Sequence, residues 1–262
     1  MVSFTAEQLY GWLNAFFWPF VRMLALVGSA PLFGESSIPK RAKVGLAALL
    51  AVAVSPALGP MPDVAPASFA GLLITVQQVL IGLALGYTMR IAFAAVQMAG
   101  EFIGLQMGLS FASFFDPATG ANTAVLSRLL NMVAMLLFLA LDGHLVLLSV
   151  LVRSFEVLPV SAAALQQPGW GALLEWTGQL VVTGLLLALP LIVALLTINL
   201  AMGILNRTAP QLSVFAVGFP ISLVTGAVLL TVTLPQITPF MERLFTDSYQ
   251  AMGRVISGLA GS

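Results

Sequence analysis

The chain has a single histidine, and it lies next to an acidic residue inside an apolar run. Asp142, Gly143 and His144 interrupt the run from 129 to 152. A carboxylate beside an imidazole inside a membrane can relay protons, which is the chemistry of a secondary transporter. A relay needs further ionisable groups, and this run contains no other. The pattern therefore favours a structural pair at a helix end or kink.

A small-solute secondary transporter stays open as an alternative. It is supported by Asp142 and by Pro190 and Pro220, which would break long apolar helices. Such a transporter would work alone or as a homo-oligomer.

Signatures of enzymes are missing from the sequence. No Gly is followed by Lys, so there is no P-loop, and one His excludes an HExxH motif and a two-His metal site. There is no Cys. Ten Lys and Arg balance ten Asp and Glu, which leaves no basic excess for nucleic-acid phosphates. We therefore expect no enzymatic activity, no cofactor, no metal and no nucleic-acid partner.

The segment from Met89 to Arg128 is the most polar part of the interior and contains a candidate pore loop. Bulky phenylalanines precede turn residues there, and an apolar irregular backbone at membrane depth is tolerated only inside protein or along a cavity. The alternative is a surface loop whose aromatic rings rest at the membrane interface. The candidate loop residues are Phe111, Ser113, Phe114, Phe115, Asp116, Pro117 and Gly120.

Glycines at helical spacing precede this loop. Gly100, Gly104 and Gly108 recur every four residues, and Gly82 and Gly86 repeat the pattern. Such a face allows another helix backbone to approach closely, either within the chain or from another subunit. An uninterrupted helix from 69 to 108 would be about 60 Å long, twice the hydrocarbon core. We expect this helix either to break or to project into a larger assembly.

The elements that would hold these residues are membrane helices. Of 262 residues, 60% are hydrophobic and 8% are charged, with a mean hydropathy of +1.04. This composition predicts an all-α, polytopic membrane protein with broken or kinked segments and a re-entrant, plug-like loop. The six apolar runs are 9–33, 42–58, 68–89, 129–152, 172–205 and 211–234.

Charges suggest an orientation and some interior contacts. Lys40, Arg41 and Lys43 form the only basic cluster, which the positive-inside rule places in the cytoplasm. Arg22 lies in the first apolar run and Arg153 directly follows the fourth, and each could pair with a carboxylate that the sequence does not identify. The other polar candidates within the membrane or at an interface are Arg90, Glu101, Arg128, Asp142 and His144.

The C-terminal tail is predicted to be an amphipathic helix that lies on a membrane or a partner. Its apolar residues fall on one helical stripe. They are Ile237, Met241, Leu244, Phe245, Met252, Val255, Ile256 and Leu259.

An ordered set of motifs carries a family resemblance over about residues 20 to 230. The motifs are RMLALVGSAPLFG, IPKRAK, GEFIGLQMG, FFDPATG, LDGH, SFEVLPV and LNRTAPQLSVFAVGFP. Together they resemble the FliR family of flagellar export proteins.

This resemblance implies a non-enzymatic subunit, present as one copy, of a flagellar type III export gate in the bacterial inner membrane, within the flagellar basal body. Its partners would be FliP- and FliQ-like subunits, FlhB- and FlhA-like proteins, membrane lipid and unfolded export substrates. Residues 1–170 would form a FliP-like region with the pore loop as plug. Residues 171–262 would form a FliQ-like hairpin and the amphipathic tail. An injectisome homologue is an alternative.

The same resemblance implies a cytoplasmic tip on the hairpin that contacts a partner. Its residues would be Asn206, Arg207, Pro210 and Gln211.

Overall fold

The computed structural model of the chain describes residues 6–59, 61–109, 125–208 and 217–261, and the regular secondary structure in this part is helical. A 3-10 turn at Ser55–Ala57 follows the second helix. The helices are α1 Ala6–Ser29, α2 Lys40–Val54, α3 Phe69–Gln106, α4 Val125–Ala140, α5 Gly143–Val157, α6 Gln167–Thr208 and α7 Phe219–Ala260. The all-α prediction is confirmed.

Three of these helices, α3, α6 and α7, are long and apolar enough to cross a membrane, and α4 with α5 would make a fourth span if the pair counts as one. Within the described residues this is fewer than the six apolar runs. The run from 42 to 58 explains part of the difference. Its helix α2 has 15 residues and is about 22 Å long, which is less than the ~30 Å hydrocarbon core.

Helix α3 does not break. It continues for 38 residues, about 57 Å, so of the two expected outcomes, a break or a projection into a larger assembly, the break is not found up to Gln106. Of its most apolar stretch, 44% is buried within the chain, against 22% for α6 and 17% for α7. Helix α3 is therefore covered by the chain to a greater extent than α6 and α7, which leave most of their apolar surface uncovered.

The apolar run around Asp142 is divided into two helices. Helices α4 and α5 meet at an angle of 68°, and Asp142 between them has a left-handed backbone with φ of 54°. A non-glycine residue adopts this conformation mainly in turns, and Asp and Asn tolerate it best. A kink at this position agrees with the interpretation of Asp142 and His144 as a structural pair at a helix end or kink and not as a proton relay.

Helices α6 and α7 are each 42 residues long and run through prolines. Helix α6 contains Pro190, and α7 contains Pro235 and Pro239. The sequence analysis ended the last apolar run at residue 234 and treated the residues from Ile237 to Leu259 as a separate amphipathic tail. The structure instead joins them, so the amphipathic tail is the second half of α7.

The chain divides into two compact units, each built from separate stretches. Unit 1 contains Met1–Ile91, Asp142–Thr177 and Phe245–Ser262, and unit 2 contains Ala92–Leu141 and Gly178–Leu244. Helices α3, α6 and α7 each contribute to both. The division at residues 170 and 171 rests on sequence likeness and stays a prediction.

The apolar stripe of the tail is buried inside the chain. Each of its eight predicted residues is less than 9% exposed. The expectation that this stripe lies on a membrane or a partner is wrong, because other parts of the chain cover it.

Candidate functional site

A fully buried arginine joins three helices of unit 1. The Arg22 guanidinium on α1 is inaccessible to solvent. Its Nε donates to Gln78 Oε1 on α3 at 2.7 Å. Its Nη1 donates to the backbone oxygen and to Oγ of Ser154 on α5, both at 3.0 Å, and its Nη2 donates to the Leu158 oxygen at 2.9 Å. The guanidinium thus finds neutral acceptors where the sequence suggested a carboxylate.

The local chemistry explains how this charge is tolerated. Helix α5 ends at Val157, so Ser154 and Leu158 present carbonyl groups from its last turn and cap. These groups carry the negative end of the helix dipole, which favours a cation. Phe155 adds its ring face, with the guanidinium carbon 4.0 Å from the ring centre. Arg22 therefore stabilises the end of α5 and holds it against α1 and α3.

Two of the predicted packing glycines lie in the same unit, between α3 and α1. A Cβ built on Gly82 would collide with the Arg22 carbonyl oxygen and approach Ala25, and one built on Gly86 would collide with Ser29. Both glycines are buried. They let the two helix backbones approach closely enough for Arg22 to reach Gln78, so their contacts are within the chain.

The glycines nearer the candidate pore loop make a second close crossing, in unit 2. A Cβ on Gly100 would lie 2.5 Å from Ser127 Cα on α4. Ser127 Oγ donates to the Gln97 carbonyl on α3 at 2.8 Å. Gly104 has looser contacts, 3.8 to 3.9 Å from Leu109 and Leu126. Gly108 follows the helix end with φ of 79°, a conformation that favours glycine.

Three predicted polar residues project outward. Arg90 and Glu101 on α3 and Arg128 on α4 are exposed, although α3 is apolar enough to span a membrane and α4 belongs to the bent pair that would make a fourth span. Charged side chains within hydrocarbon cost about 2.5–3.5 kcal/mol each by insertion measurements. Their exposure therefore indicates contact with water or with protein.

The aspartate and the histidine at the kink differ in burial. Asp142 is exposed and His144 is half-buried, and His144 Nδ1 is buried with no hydrogen-bond partner among the residues that the structure describes. Gly143 between them is held by Tyr249 of α7, whose hydroxyl donates to its carbonyl at 3.0 Å. Arg153 on α5 is exposed.

Other predicted residues lie partly or wholly outside the described part of the chain. Asn206 and Arg207 are in the last turn of α6, half-buried and exposed respectively, whereas Pro210 and Gln211 fall outside. All the candidate plug residues also fall outside, namely Phe111, Ser113, Phe114, Phe115, Asp116, Pro117 and Gly120. The plug thus stays a prediction.

Sequence reasoning missed several polar residues that connect helices. Gln78 and Ser154 accept hydrogen bonds from Arg22. Trp176 Nε1 donates to the Thr88 oxygen at 2.9 Å. In unit 2, Ser222 Oγ donates to Asn199 Oδ1 at 2.9 Å. A polar side chain inside an otherwise apolar run was the available signal, because such a group needs a partner.

Comparisons with known proteins agree with the motif order. The family described as bacterial export proteins, family 1, matches residues 13–248. The flagellar biosynthetic protein FliR of Escherichia coli strain K12 is 50% identical over 99% of both chains. The protein of the same name from Pectobacterium carotovorum subsp. carotovorum is 48% identical over 100% of both chains. The one from Bacillus subtilis strain 168 is 29% identical over 93% of this chain and 95% of its own.

A family match over residues 13–248 and a relative of half-identical sequence along nearly the whole chain are sufficient to assign the family. The chain belongs to the bacterial export proteins, family 1, as a member of the FliR family of flagellar biosynthetic proteins.

Proposed function

We propose that the chain is a non-enzymatic subunit of the flagellar type III export gate in the bacterial inner membrane. One copy would assemble with FliP- and FliQ-like subunits, and FlhB- and FlhA-like proteins would contact the assembly. The pore so formed would pass unfolded flagellar substrates. The observation that carries the proposal is the 50% identity to a flagellar biosynthetic protein FliR over 99% of both chains.

Unit 2 offers physical support for a multi-subunit role. Its part of α6 exposes adjacent pairs of apolar residues, among them Val181 with Val182 and Leu185 with Leu186. Its part of α7 exposes Val224, Val228 and Val232. Such a surface needs lipid or apolar protein to cover it. A subunit that assembles inside a membrane meets both.

The segment around residues 111–120 would act as the plug of the pore. A channel wide enough for an extended polypeptide would leak ions, and an apolar constriction that dewets when empty would seal it. Phe111, Phe114 and Phe115 would form the seal. Replacing all three with Ala should raise the ion conductance of the membrane before it abolishes export. Unchanged conductance in a correctly assembled variant would contradict this role.

Mass spectrometry of the intact complex tests the proposal directly. The tagged chain would be expressed from its native operon and purified in mild detergent. Recovery with several copies of FliP- and FliQ-like subunits is expected, and the mass would establish the stoichiometry. Recovery of the chain alone or as a homo-oligomer, while those subunits are expressed, would overturn the gate and favour a transporter.

A further inference from the structure

A narrow uncovered stripe runs along α3 in unit 1. Between Phe69 and Ile91, all but one of the exposed side chains fall on one line, and Leu72 is the exception. The steps along the line alternate between four and three residues. Its members are Phe69, Leu73, Val76, Leu80, Leu83, Tyr87 and Arg90.

The rest of this part of α3 is occupied by contacts within the chain. Gly82 and Gly86 lie against α1, Gln78 accepts from Arg22, and Ile74 and Leu85 are buried in the core. Among the residues that the structure describes, the stripe is thus the one face of this stretch of α3 that unit 1 leaves bare. It exposes about one residue per turn.

This spacing suits another α-helix better than lipid. A strict four-three alternation has the 3.5-residue period of a coiled-coil seam, along which side chains of one helix insert between those of its partner. A helix that faces lipid exposes a broader surface, and α6 in unit 2, with its adjacent exposed pairs, has a surface of that width. The narrow stripe on α3 therefore matches the width of one partner helix.

Arg90 at the end of the stripe indicates the chemistry of that partner. A guanidinium is costly in hydrocarbon unless an acceptor meets it. A second copy of the chain packed in parallel would bring Arg90 against Arg90, and like charges repel. A helix from a different protein avoids this repulsion. It also supplies the acceptor if it is apolar along its seam and places a carboxylate or a free carbonyl end near Arg90.

We propose that the α3 seam, defined as Leu73, Val76, Leu80, Leu83, Tyr87 and Arg90, is the docking surface for an apolar helix of another gate subunit. The proposal rests on the gate function above and identifies the face of the chain that one partner covers. The seam would act as a row of knobs, and Arg90 would set the register by its contact with the partner's acceptor.

Photocross-linking in the native complex tests this surface. A photoreactive amino acid would replace, one at a time, Leu73, Val76, Leu80 and Leu83, and separately Leu72 as the matched control. Leu72 is 59% exposed and Leu73 is 44% exposed, so the control is the more accessible of the two. It lies about 100° around the helix axis from Leu73. We expect a protein adduct at all four seam positions and none at Leu72.

A charge reversal sharpens the result. We expect the yield of intact complex to be roughly tenfold lower for the variant R90E than for the parent chain, which is the size of effect expected for one interfacial charge contact. The variant R90K, which retains the charge, should lose less. Because Arg90 is exposed, neither change removes a buried contact within the chain.

The outcomes separate the surface from the gate function. If the complex forms with FliP- and FliQ-like subunits but the seam positions cross-link only to lipid or to a second copy, the docking surface is wrong and the gate stands. If the seam cross-links with the same periodicity to a protein outside the gate and no gate subunits are recovered, the seam docks a helix but the proposed occupant and the gate function are both wrong. If the chain purifies alone and only lipid adducts form, both are wrong.

Discussion

Two close helix crossings on α3 use different chemistry. In unit 1, α3 meets α1 through Gly82 and Gly86, and the contact is completed by the buried guanidinium of Arg22. In unit 2, α3 meets α4 through Gly100 and a single serine hydroxyl, without a buried charge. The first crossing therefore depends on electrostatics as well as on shape, whereas the second depends almost entirely on the absence of a side chain.

The most damaging change should be R22M at the first crossing. Methionine fills similar space but leaves the carbonyl end of α5 and the Gln78 amide oxygen without their donor, and each buried acceptor left unsatisfied costs about 1–3 kcal/mol. The free energy of unfolding in detergent, by denaturant titration, would measure it. R22K should recover part of the loss because it restores one charged donor. An R22M variant as stable as the parent would show that the charge is dispensable.

The corresponding test of the second crossing is G100A. The new Cβ would lie 2.5 Å from Ser127 Cα, so α3 and α4 must move apart. Overpacking of this kind typically costs about 1–3 kcal/mol. Gly178 in unit 2 has no atom within 4 Å of a built Cβ, and G178A is the matched control. Equal stability of G100A and G178A would contradict the close crossing.

A smaller effect is expected for S154A, which removes one of the four acceptors around Arg22. The backbone oxygen of residue 154 remains, so the guanidinium keeps its other bonds. Loss of a hydrogen bond to a charged group costs about 1.5–3 kcal/mol, and we expect the lower end. The double variant of R22M with S154A should cost less than the sum of the two single changes, because both act on one network. Strict additivity would show that the two side chains act independently.

The smallest effect, and one of opposite sign, is expected for G45A in α2. Gly45 is exposed, and no atom lies within 4 Å of a built Cβ. Alanine in place of an exposed helical glycine stabilises by about 0.5–1 kcal/mol. A small rise in thermal midpoint would show that glycine content alone is not what holds these helices together. A loss of stability would indicate a contact at Gly45 with another protein or with lipid.

Much of the organisation could be predicted from the order of residues alone. Hydropathy predicted the apolar helices, because runs near 20 residues suit the membrane thickness. The isolated Asp-Gly-His sequence predicted a helix end or a kink at this position, because polar groups inside an apolar run need a break or a partner. Glycines at four-residue spacing predicted close helix approach, although not which helix would approach.

The remaining features depend on which distant segments meet. Arg22 finds Gln78 and Ser154 56 and 132 residues away, and no local pattern specifies that pairing. The tail's apolar stripe has the same amphipathic sequence whether a membrane, a partner or its own chain covers it, and only the tertiary structure decided that the chain itself does. Local periodicity determines which face of a helix is apolar, because it follows from 3.6 residues per turn. The identity of the covering surface depends on long-range packing, which the sequence of a single helix does not contain.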